Sequence, residues 1–143
     1  MPLTTERAQQ LTELCRRFRI EALTGIQGVQ SGHPGGSLSC CEILALLYQE
    51  RMNISAQNPD DPNRDRLVLS KGHAVPMLYV NLIAKGFLPE GSMSTLRRVD
   101  SDLQGHPCSH TAWVWVLVAL LTSCSGLDGG FQEIRPCLNS QKL

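Results

Sequence analysis

A chain of 143 residues with 42% hydrophobic content has the size and composition of one globular domain, able to bury roughly two-thirds of its unfolded surface. Its 13 Lys and Arg balance 13 Asp and Glu, so no basic field favours nucleic acid or an anionic membrane. The opening MPLTTERAQQ lacks the apolar stretch of a signal peptide, and the six cysteines include no C-x-x-C pair, which together predict reduced thiols in the cytoplasm.

In chain order, Leu11, Leu14, Cys15, Phe18, Ala22, Ile26 and Val29 recur at helical spacing, with Glu13, Arg16, Arg17 and Glu21 on the opposite face. A long amphipathic helix is expected, ending near Gly32 and Pro34. A second helix is expected from about Leu38 to Met52, with Ser39 and Glu42 forming a capping box. The adjacent Cys40 and Cys41 fall in its pattern as buried thiols. NPDDPNRD, residues 58–65, is a loop by its turn-forming dipeptides. RLVL, residues 66–69, is a short apolar run that predicts a buried parallel strand. The segment from Ala74 to Gly86 predicts a helix that takes Pro76 in its first turn and Gly86 at its C-terminus. EGSMSTLRRVD predicts a short surface helix and SDLQGHP a loop.

Three of the four histidines follow a glycine: His33 in QSGHPGGS, His73 in SKGHA and His106 in QGHP. Glycine removes side-chain bulk beside each imidazole, so a ligand can approach closely. Proline after His33 and His106 holds both in extended geometry. His73 stands where the expected strand opens into a helix, the usual ligand position in open α/β sheets. Imidazole then offers a donor, an acceptor or a proton carrier near neutral pH. A lone loop histidine more often caps a carbonyl; the recurrence favours a site. A metal centre is the weaker alternative, because no pair shows H-x-x-x-H spacing and only Cys108 and His110 stand close together in sequence. Gly35 and Gly36 could cradle a phosphate through backbone N–H groups, but GHPGGS lacks the Lys-Ser/Thr ending of a P-loop.

Taken together, IQGVQSGHPGGSLSCCEILALLY, DRLVLSKGHAVPMLYVNLIAKGFLP and DSDLQGHP resemble the N-terminal, pyrophosphate-binding section of transketolase, over about Leu11 to Cys108. The nearest type is the split transketolase, whose pyrophosphate-binding and pyrimidine-binding halves are separate chains. The resemblance implies an α/β fold: a partial thiamine-diphosphate-binding fold, helix-rich with an incomplete parallel sheet. It implies a transferase of the pentose phosphate pathway that moves a two-carbon ketol unit between sugar phosphates with thiamine diphosphate. By the same resemblance, His33 and His106 are catalytic contacts to the sugar, and His73 binds the cofactor diphosphate. A pyrimidine-domain (C-terminal) subunit or a second protomer is the implied partner.

After QGHPCSH the family continues with a T-P-G segment, a G-P-L-G or G-S-L-G turn, and a G-D-G motif with a downstream Asn that hold a Mg or Ca ion. None is matched here, so no metal ligand is assigned. A division follows: residues 1–110 as a truncated thiamine-diphosphate-binding region and 111–143 as a divergent tail. WVWVLVALL within that tail is about half the length needed to span a bilayer and is expected to behave as a core or aggregation-prone strand. The chain alone is expected to be inactive, the alternative being a non-catalytic truncated remnant or an interaction module.

Overall fold

The computed structural model describes residues 3–69 and 71–105, and these form a helical body. Helix α1 spans Thr5–Val29. Thr4 caps it, its hydroxyl accepting from the Arg7 N–H at 3.2 Å, which satisfies one of the orphan donors of the first turn. The face carrying Leu11, Cys15, Phe18, Ala22 and Ile26 is buried, as the spacing predicts. Gln30 ends the helix in a left-handed conformation at φ 50°. Ion pairs from Arg7 to Glu50 and from Arg19 to Glu42 tie α1 to the helix packed beside it.

The expected second helix starts at Cys41 rather than about Leu38, and a short helix precedes it. Helix α2 spans Pro34–Leu38 and α3 spans Cys41–Leu46, widening into a π turn over Leu47–Arg51. The capping box does not form. Ser39 donates its hydroxyl to the Gly36 carbonyl at 3.1 Å and accepts from Lys71, so it is unavailable to α3. Glu42 pairs with Arg19 instead of folding back. Cys40 stands at the N-cap with no side-chain hydrogen bond to the helix.

Helix α4, Val75–Ala84, is the centre of the body. Nine of its ten residues, Val75 through Ile83, are buried, which requires neighbours on every face. Those neighbours are α1, α2, α3 and the 3-10 turn Ser92–Thr95. Pro76 sits in the first turn, where its missing N–H costs nothing. Past the last turn, the Gly86 N–H reaches the Ile83 carbonyl at 2.9 Å and the Phe87 N–H reaches Leu82 at 2.9 Å. This double closure needs a left-handed residue, and Gly86 supplies it at φ 83°.

No β-strand forms among the described residues. In the run Arg66–Leu69 only Val68 takes a β-bridge. Leu67 and Leu69 pack against the core, while Val68 is 61% exposed. A parallel strand is buried on both faces only when flanking strands and helices cover it, and among the described residues nothing covers Val68. The expectations for 111–143 lie outside the described residues. No described helix is long and apolar enough to cross a membrane.

Candidate functional site

His33 precedes α2 with φ −118° and ψ 97°, the extended geometry that a following proline imposes. His73 lies in the 3-10 turn Gly72–Ala74, which runs straight into α4. Gly72 and Ala74 are buried and His73 is exposed, so the turn is anchored on both sides of an outward-facing imidazole. Helix α2 packs on this turn. The two histidines, 40 positions apart in sequence, thereby meet edge to face, with ring centroids 4.9 Å apart and planes at 87°.

The surroundings of this pair carry further donors. A Cβ placed on Gly36 would lie 3.6 Å from both the His73 Cβ and the His73 carbonyl oxygen, so the α2 backbone runs in van der Waals contact with the turn. The same position is 3.7 Å from the Lys71 Cε. Lys71 donates its ammonium to the Ser39 hydroxyl at 2.6 Å, holding the charge over α2. Ser37 is fully buried, and its hydroxyl has no hydrogen-bond partner. Burial raises the Cys40 thiol pKa and the nearby Lys71 charge opposes that rise, which leaves the thiol protonated at neutral pH. Two imidazoles and an ammonium make an arrangement of donors suited to an anion. Among the described residues, no group of three His, Cys, Asp or Glu is placed to hold a metal ion.

The sequence profile of the family described as "Transketolase, thiamine diphosphate binding domain" matches residues 10–119. The chain belongs to the transketolase family. It is 40% identical over 116 residues to the transketolase of Mus musculus, covering 81% of this chain and 19% of that one. It is 47% identical over 98 residues to the 6-deoxy-6-sulfo-D-fructose transketolase subunit SqwG of Clostridium sp. (strain MSTE9), covering 68% of this chain and 34% of that one. Among solved structures, transketolase from Campylobacter jejuni superposes with a TM-score of 0.68 at 32% identity, over 80% of this chain and 17% of that one. The chain spans about a fifth of the length of the transketolases it matches.

Of the three histidines singled out in the sequence, the fold brings His33 and His73 together. His106 lies outside the described residues, which end at Gly105. The loop leading to it is nonetheless fixed: the buried Tyr79 of α4 donates its hydroxyl to the Gln104 carbonyl at 2.8 Å. Lys71 was not singled out from the sequence. Its only signal there is a lone basic residue two positions before His73, which is indistinguishable from a solvated surface charge until α2 is seen to pack beneath it.

Proposed function

We propose that this chain supplies the diphosphate-facing part of a transketolase site, working with a pyrimidine-domain subunit or a second protomer to move a two-carbon ketol unit between sugar phosphates. The observation that carries the proposal is the His33–His73 ring pair standing beside Lys71 and Gly36 in a chain of this family. The arrangement fits thiamine diphosphate at its anionic end: the exposed His73 imidazole and Lys71 ammonium stand together where α2 packs on the Gly72–Ala74 turn. When bound, thiamine diphosphate supplies the nucleophilic carbon for ketol transfer.

In this reading His73 and Lys71 orient the diphosphate. His33 and His106 contact sugar hydroxyls and hold or deliver protons there, the work for which an imidazole near neutral pH is suited. A Mg or Ca ion would need carboxylate or carbonyl ligands, and the described residues offer no such cluster, so no role is derived through one. The likeness to a transketolase subunit of Clostridium supports a partner chain. We further propose that Arg66–Leu69 is a strand of an incomplete parallel sheet, and that residues 1–110 and 111–143 divide as region and tail. The protein is assigned to the cytoplasm and the pentose phosphate pathway by the same reasoning from its cysteines and its family.

The test is turnover of a ketose phosphate with and without an added pyrimidine-domain subunit of a split transketolase, in thiamine diphosphate and magnesium. The chain alone is expected to be silent. Activity that depends on the added subunit supports the proposal, with His73→Ala weakening cofactor affinity and His106→Ala lowering turnover by about tenfold to a thousandfold. Equal effects of both changes on cofactor affinity would overturn the division of roles.

A further inference from the structure

Arg97 is one of two non-glycine residues held at positive φ among the described positions, at 60°. An arginine in this region carries steric strain that glycine would avoid, and it persists only where surrounding contacts fix it. Those contacts are present. The Arg97 N–H donates to the Leu103 carbonyl at 2.7 Å, closing the loop between them. Its guanidinium donates to the Ser31 hydroxyl at 2.6 Å, reaching across 66 positions to the turn that carries His33. The same guanidinium lies against Gly105, where a Cβ would come within 2.9 Å of its terminal nitrogen. Gly105 immediately precedes His106 in the sequence.

The loop that presents Arg97 is internally tied. Thr95 and Ser101 share a hydroxyl hydrogen bond at 2.8 Å, the Ser101 hydroxyl accepts from the Leu103 N–H at 3.1 Å, and the Gln104 amide donates to the Arg98 carbonyl at 2.9 Å. A displacement at one end is therefore transmitted rather than absorbed. We propose that Arg97 is a positioning residue: its guanidinium clamps the Ser31–His33 turn to the Gly105 end of the loop and so sets the pose of the His33 ring against His73. This rests on the functional reading only for its consequence in turnover; the coupling itself exists with or without a cofactor. A Cβ at position 105 would meet the guanidinium and force it to shift, so Gly105→Ala probes the same contact.

The edge-to-face geometry supplies the readout. A ring proton held over the face of a neighbouring imidazole is displaced in its NMR resonance, and the displacement vanishes when the rings part. The experiment records histidine ring resonances of the full-length chain, assigned by His33→Gln and His73→Gln, in wild type and in Arg97→Ala, Arg97→Lys, Gly105→Ala and Ser31→Ala. Arg97→Ala and Gly105→Ala are each expected to remove at least half of the ring-current displacement of the pair, with the amide resonances of α4 unchanged. Arg97→Lys should restore part of it, since an ammonium can reach one hydroxyl but cannot lie flat against Gly105. Ser31→Ala removes one hydroxyl and leaves the helices intact, and combined with Arg97→Ala it should add nothing further. His33 and His73 resonances unmoved in Arg97→Ala and in Ser31→Ala would overturn the proposal. So would a Gly105→Ala spectrum that differs from wild type only at its own neighbours. A clamp that is confirmed in a chain that stays silent even with the pyrimidine-domain subunit added would leave this inference standing and the functional reading refuted.

Discussion

Tyr79 is the point at which the central helix holds the loop leading to His106, and removing its hydroxyl tests how that loop is fixed. Tyr79→Phe keeps the ring, which is 1% exposed, so no cavity opens. What is lost is the hydrogen bond from the hydroxyl to the Gln104 carbonyl at 2.8 Å. A bond of this kind contributes about 0.5–1.5 kcal/mol net, and the upper end applies when the abandoned acceptor cannot reach water. Gln104 is half-buried, so water reaches its carbonyl in part, and the expected loss is about 1 kcal/mol. With a urea dependence of about 2 kcal/mol per molar for a chain of this size, the midpoint should fall by about 0.5 M at unchanged slope. The local signature should accompany it: amide resonances of residues 101–105 shift, while those of α1 do not. An unchanged midpoint together with an unchanged loop spectrum would show that the loop is held by other contacts and that α4 does not position it.

Two further tests concern titratable groups. Burial raises the pKa of Glu21 more than nearby Arg17 lowers it, so the folded chain holds that proton to higher pH than the unfolded one. Stability is then greatest below the carboxylate range and falls as pH rises through the folded pKa; Glu21→Gln should be more stable than wild type at pH 7 and level with it at acid pH, and a variant that is less stable at pH 7 would contradict this. Burial pushes the Cys41 thiol up to about 12, with the Cys15 thiol adjacent to it. At pH 8 its thiolate fraction is about one in ten thousand, so alkylation mapped by mass spectrometry should reach half-exposed Cys40 well before Cys41, and early modification of Cys41 would show that its pocket is open.

Much of the helical framework was legible because its signals are local. The spacing from Leu11 to Val29 marked α1, and the apolar segment with Pro76 at one end and Gly86 at the other marked α4, since proline and glycine act on the backbone within a turn of their own positions. Helix α2 was not legible, because Gly35 and Gly36 argue against a helix locally and the turn on which it packs, Gly72–Ala74, is distant in sequence. The strand expected at RLVL depends on neighbours, and no local pattern says whether they are present. At the site, three glycine–histidine pairs and a family resemblance singled out His33 and His73, and packing of α2 on the Gly72–Ala74 turn made them a pair. Arg97 was invisible in the sequence. Nothing in LRRVD says which arginine takes a left-handed backbone, and its partners Ser31 and Gly105 come from the two flanks of the site.

The most direct measurement is an NMR titration of the full chain with thiamine diphosphate in the presence of magnesium, beside a control titration with thiamine. The described residues offer no cluster that could hold a cation beside the diphosphate, so binding by this chain alone should be weaker than about 0.1 mM. It should still be localised, moving the resonances of Gly36, Lys71, His33 and His73 with the diphosphate and leaving them in place with thiamine. Perturbations centred elsewhere, an absence of any perturbation at these four residues, or micromolar affinity in the chain alone would contradict the assignment of this surface as the diphosphate-facing part of the site.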